Sequence, residues 1–199
     1  LKTTAACPAF TYSPDRSATV IERLMAAGAI CVGKTNLDQF ATGLNGTRSP
    51  FGAPRNAYNL AYVSGGSSSG SSVAVAAGLV PFALGTDTAG SGRVPAAFQH
   101  LIGFKPSKGR WSNHGLIPAC RTLDCISVFT NDTTDARLVD SIVAGFDAAD
   151  PYSKALADLP RAGRKIGVPR RDQRVWFGDG DSEYLYDRAI EALAGFAEI

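Results

Sequence analysis

Apolar positions recur along the chain with two spacings, and the switch between them lays out the elements. From Asp15 to Ala27 they fall at Val20, Ile21, Leu24 and Met25, the spacing of an amphipathic helix that Gly28 ends. Ala29 to Gly33 is a short unbroken apolar run, which predicts a buried strand. A helix leading into a buried strand is the repeating unit of an α/β sheet, and this sets the expected fold class. Leu1 to Pro14, polar and turn-rich, reads as a covering loop. Asn36 to Thr42 predicts a helix with Asn36 and Asp38 as caps, followed by a Gly/Ser/Thr loop to Phe51.

Further on, Ser71 to Ala77 suits a tightly packed helix start, and Pro81 to Gly85 a buried strand. Gly92 to Phe98 begins a helix with Pro95 in its first turn, and Leu101 to Pro106 suggests another strand. Asp132 to Gly145 carries Ala136, Leu138, Val139, Ile142 and Val143 on one face, a helix capped by Thr133 or Thr134. Tyr152 to Arg164 reads as a connection, Lys165 to Pro169 as the start of a strand, and Ser182 to Ile199 as an unfinished helix.

Composition narrows the function classes. With 199 residues, 45% of them hydrophobic, the chain can bury the core of one globular domain. A net charge of +2 argues against nucleic acid or an anionic membrane as partner. The basic residues between Arg161 and Arg174 alternate with apolar ones, as solvated flanks of a strand do. The longest apolar run, Val73 to Gly85, is too short to span a bilayer and contains Pro81. Cys7, Cys31, Cys120 and Cys125 form no CxxC, and His100 and His114 do not stand beside them, so we expect no metal and no cofactor. Four reduced thiols with packing roles fit a cytosolic protein.

Candidate chemistry concentrates between Ser64 and Pro95, where two Gly/Ser-rich turns enclose the apolar segment 73–85. Small residues in such turns let backbone N–H groups point into a cavity with no side chain in the way, the arrangement that holds a developing oxyanion. Ser91 would sit in that cavity and needs a base to become a nucleophile. A flexible linker fits poorly, because the turns flank a regular apolar segment and contain Thr86-Asp87-Thr88. A phosphate cradle is disfavoured as well, since neither GxxxxGK[ST] nor GxGxxG is present. A Ser-His-Asp arrangement would pair Ser91 with His100 or His114 and with Asp87 or Asp124, but the GxSxG elbow is missing.

GGSSSG at 65–70 followed by GTDTAGSGR at 85–93 resembles the amidase signature hydrolases, whose pattern is GGSSGG and then GTD[TI]GGS[IV]R. Ser91, 24 residues beyond Ser67, keeps the family spacing. The resemblance implies an α/β amidase signature fold with a mixed central sheet flanked by helices on both faces. It implies Ser91 as nucleophile and Ser67, after a cis peptide from Gly66, as the bridging serine of a Ser/cis-Ser/Lys relay. The amides of Thr88, Ala89, Gly90 and Ser91 would hold the oxyanion, with Ser68, Asp87 and Arg93 in support. Arg93 either pairs with Asp87 and braces the turn, the favoured reading, or meets a substrate carboxylate.

The lysine of that relay is not in the sequence: Lys2, Lys34 and Lys105 match other segments of the family pattern. The resemblance thus implies that residues 1–199 are part of one amidase signature domain, lacking its N-terminal segment with the lysine and its C-terminal portion. By themselves they would be inactive. TNLDQFATGLNGTRSPFG at 35–52 and CRTLDC at 120–125 are similar to allophanate hydrolases, and by that analogy Gly46, Thr47 and Ser49 would line the substrate pocket. The implied reaction is hydrolysis of allophanate with release of ammonia in urea degradation, with a small-molecule amide as substrate and urea carboxylase as pathway partner. A homodimer is compatible with this. The alternatives are a broad amidase, the A-type chain of an amidotransferase, or a non-catalytic relative acting as a binding or scaffold protein.

Overall fold

A computed structural model describes residues 1–155, 165–195 and 197–199, and the chain divides into two units, Leu1–Leu156 and Ala157–Ile199. The first unit is built on strand β3 (Cys125–Thr130), every residue of which is buried. Strands β1 (Phe82–Asp87) and β2 (Ile102–Phe104) flank it, in the order β1-β3-β2. Both pairings are antiparallel, with Phe82 opposite Thr130, Asp87 opposite Cys125, and Phe104 opposite Val128. The two-residue alternation of a strand sends its neighbours to opposite faces. Ile126 and Val128 face Val20 and Leu24 of α1 (Thr19–Ala26), Trp111, and Val139 and Val143 of α4 (Thr133–Val143). Phe129 faces Val75 of α2 (Ser69–Ala76) and Ala96 of α3 (Val94–Phe98).

Helices therefore cover the sheet on both faces, as the family resemblance implies. Among the described strands, however, the sheet is antiparallel and not mixed. The free edge of β1 is satisfied by serines rather than by another strand. Ser71 Oγ donates to the Leu84 carbonyl at 2.7 Å, while Ser68 Oγ accepts from Thr86 N at 3.0 Å and lies 3.2 Å from its carbonyl.

Several sequence expectations shift. Ala29–Gly33 is not a strand: Ile30 is 85% and Val32 76% exposed, and no described strand lies alongside to pair the backbone or cover the side chains. The helix expected over 36–42 shrinks to one 3-10 turn, Gln39–Ala41, because the Asp38 carboxylate binds loop amides beyond it and caps nothing. Asp132, not Thr133 or Thr134, caps α4, accepting from Thr134 N and Asp135 N. Cys125 is the one buried thiol of the four, and Cys31 is exposed. The expected connection over 152–164 lies outside the described residues from 156 onward.

In the second unit, α5 (Gly180–Ala194) starts on Asp179, which accepts from Ser182 N, and stops well short of Ile199. Lys165–Pro169 forms a single bridge to Glu198 and no strand. Arg171 and Arg174 pair with Asp187, and Arg170 with Asp172, so these basic residues are neutralised locally. No helix among the described residues is long and apolar enough to cross a membrane.

Asp147 ties the start of α1 to the segment before β3, accepting from Ser112 Oγ at 2.6 Å and Thr19 Oγ1 at 2.7 Å. With the Ala149 amide also donating, these hydroxyls hold its carboxyl down to about 2. A depressed carboxylate contributes stability that is complete above its unfolded value and lost as pH falls through the folded one. Asp147→Asn should therefore cost about 1 kcal/mol at neutral pH, allowing for solvent screening. The difference from wild type should vanish between pH 4 and pH 2 in urea unfolding followed by circular dichroism.

Candidate active site

Strand β1 delivers Asp87 to the start of a tight turn, and this buried carboxylate closes it. Oδ2 accepts from Gly92 N at 3.1 Å and from Arg93 Nε at 2.9 Å, while Oδ1 accepts from Arg93 Nη2 at 3.0 Å. The same pairing raises the Arg93 guanidinium above its ordinary value. Inside the turn, the Gly90 carbonyl takes the amides of Arg93 and Val94 at 2.8 and 2.7 Å, leading the chain into α3. The backbone N–H groups of Thr88, Ala89, Gly90 and Ser91 donate to no acceptor among the described residues. Four adjacent unpaired amides around a serine can stabilise a negative oxygen.

Gly92 is required by packing: a Cβ there would sit 2.7 Å from Ser127 Cβ and 3.2 Å from that of Asp87. Ser127 thus lies directly beneath the turn, its hydroxyl buried and without a partner among the described residues.

The second turn carries a cis peptide between Gly66 and Ser67. The Ser67 carbonyl accepts from Asp38 N at 3.0 Å and Ser69 N at 2.8 Å. Asp38, fully buried, accepts in turn from Gly46 N at 3.0 Å and Arg48 N at 2.7 Å, clamping the 43–48 loop onto the cis peptide. A Cβ on Gly66 would come within 2.5 Å of Gly46 N, so the glycine is what lets the two loops touch. The Ser67 hydroxyl is fully buried with no hydrogen-bond partner among the described residues, and it is not bonded to Ser91.

Ser91, 3% exposed, opens onto a cleft of about 260 Å³ together with Thr88 and Ala89. The other walls are residues 41–44 and the pair Ala119 and Cys120. Gly46, Thr47 and Ser49 do not line it. Gly46 is buried with its amide donating to Asp38, Thr47 faces solvent, and Ser49 Oγ is bonded to Asn36 Oδ1 at 2.6 Å. The pocket tract is therefore the segment just before the one expected.

The histidines stand apart from Ser91. His114 lines a different cleft, of about 210 Å³, with Asp150 and Tyr152, and His100 packs edge-on against Tyr58. Lys34, Lys105 and Lys108 spend their ammonium groups on other acceptors: the Leu1 carbonyl, the Pro106 carbonyl, and those of Arg121 and Asp124. Two residues with structural reach carry no site signal in the sequence. Asp38 reads there as a helix cap, and Ser127 belongs to a strand with no local signature.

Because Gly92 is packed on Ser127, Gly92→Ala should destabilise the protein by about 1–3 kcal/mol. Adding Ser127→Gly should recover much of that loss, as measured by the urea midpoint of the two variants.

An amidase family model matches residues 1–196. A urea amidolyase of Lachancea kluyveri is 50% identical over 194 residues, 96% of this chain and 11% of that protein. The A-type chain of the glutamyl-tRNA(Gln) amidotransferase of Methanosarcina barkeri is 43% identical over 177 residues, 85% of this chain and 36% of its own length. The crystal structure of Kluyveromyces lactis allophanate hydrolase superposes with a TM-score of 0.91 at 47% identity, covering 100% of this chain and 33% of that one. The chain thus spans about a tenth of that urea amidolyase and about a third of the other two. With nearly every residue inside the family match, and a cis peptide and a row of unpaired amides where its two motifs fall, this chain belongs to the amidase family.

Proposed function

We propose that these residues form part of the active site of an amide hydrolase acting on allophanate. The observation that carries this reading is Ser91 opening onto a compact cleft beside the unpaired amides of residues 88–91. In the proposed reaction, Ser91 Oγ attacks the amide carbonyl carbon and a C–O bond forms. The Ser91 proton passes to the Ser67 hydroxyl, which hands its own to a neutral lysine. That lysine is supplied, on the family resemblance, by a segment preceding Leu1, with a C-terminal portion completing the domain. The buried, unpartnered Ser67 hydroxyl supports the relay, because it is free to bond both groups.

The tetrahedral oxyanion is held by the 88–91 amides. Its collapse breaks the C–N bond, the departing nitrogen takes the relayed proton, and ammonia leaves. Water then attacks the acyl-Ser91 ester by the same relay in reverse, freeing the acid and restoring the serine. Asp87 and Arg93 keep the turn in shape, Gly66 and Ser68 seat the bridging serine, and no cofactor is needed.

Allophanate is favoured by the similarity to an allophanate hydrolase and to a urea amidolyase over nearly the whole chain. The cleft suits a small substrate, and Cys120, in one wall of it, opens the 120–125 stretch that carries the sequence likeness to allophanate hydrolases. A cytosolic setting beside urea carboxylase fits that assignment, and a homodimer is compatible with it. The 43% identity to an amidotransferase chain favours glutamine as the second candidate.

Ammonia release from allophanate, a simple aliphatic amide and glutamine by the intact protein separates these readings. Allophanate should be the preferred substrate by kcat/KM, and preference for glutamine would replace this assignment. Ser91→Ala should lower turnover by about a thousandfold or more, and Ser67→Ala nearly as far, because relay members act as a unit. His114→Ala should leave acylation unchanged, and its loss would point to a histidine base.

A further inference from the structure

Asp124, 2% exposed, borders the second cleft, and its side chain gathers donors from two walls of the Ser91 cleft. From one wall, Ala119 N donates to Oδ2 at 3.1 Å and Cys120 N to both oxygens at 3.0 Å. From the other, the Thr88 hydroxyl donates to Oδ1 at 2.5 Å. The backbone of Asp124 is pinned as well, its carbonyl accepting from Asn113 Nδ2 at 2.8 Å and Lys108 Nζ at 3.3 Å.

A carboxylate that only shaped its own turn would need the amides of residues 119 and 120 and nothing more. The bond to Thr88 reaches 36 residues back in the chain, to the first residue of the turn whose free amides flank Ser91. An ionised carboxylate is an acceptor with several lone-pair directions, so one buried group can fix both walls at once.

We infer that Asp124 is a positioning residue. Through the Thr88 hydroxyl it sets the orientation of the oxyanion-binding amides relative to the Ala119–Cys120 wall. This rests on the proposed attack by Ser91. Misaligned amides weaken a contact made chiefly in the transition state, so the loss falls on kcat rather than on substrate binding.

The test uses the intact protein, with ammonia release from allophanate and fluorophosphonate labelling of Ser91 as readouts. Asp124→Asn and Thr88→Val should each lower kcat about 10- to 100-fold with KM changed less than about threefold. The double variant should be no slower than the slower single, since both remove one link. Thr88→Ser, which keeps the hydroxyl, should recover most of what Thr88→Val loses. Wild-type kcat in Asp124→Asn, or losses that multiply in the double variant, would overturn the inference while Ser91 labelling upholds the reaction. Failure of Ser91 to label in wild type, with Ser91→Ala fully active, would instead overturn the reaction itself. Should Asp124→Asn not fold, the Thr88 pair decides, and an unchanged kcat in Thr88→Val refutes the link.

Discussion

The arrangement depends on one buried carboxylate, Asp87, and the three N–H donors it holds. Burying a charge is costly unless it is paired and hydrogen-bonded, and here Arg93 supplies the opposite charge and two donors while Gly92 supplies the third. That closed group converts the end of β1 into a fixed turn. The carboxylate takes the amide of Gly92, and the four amides before it have no acceptor among the described residues. The site is thus made by satisfying the turn from its far side.

Asp38 and Asp124 repeat the device at the other two walls. Each is buried, each collects backbone amides from a loop, and each reaches a second segment: Asp38 through its own amide to the Ser67 carbonyl, Asp124 through the Thr88 hydroxyl. Three loops of irregular backbone are made rigid without regular secondary structure, since a carboxylate accepts several donors where a carbonyl accepts one or two. The glycines at 66 and 92 do the complementary work of close approach.

Much of this is legible in the sequence where local chemistry decides it. The helices over 19–26 and 133–143 follow from apolar spacing, and the two Gly/Ser turns declare themselves by composition and order. The central strand is not, because Cys125-Ile126-Ser127-Val128-Phe129-Thr130 follows a turn directly and presents polar Ser127 inside. Its full burial comes from helices on both faces, which no local pattern reveals. Ala29–Gly33 fails in the opposite sense, since an apolar run becomes a strand only where a partner edge exists. Asp124 can be read as a turn residue, but its bond to Thr88 joins segments 36 residues apart and appears only in three dimensions.

The serines of α2 and its cap that bond Leu84 and Thr86 have a bearing beyond local satisfaction. A bare strand border is an invitation to add another chain, and hydroxyls already seated there refuse it. Serine abundance in this stretch therefore works partly as insulation against misassembly. It denies intruding strands a foothold beside the turn where the chemistry is proposed to occur.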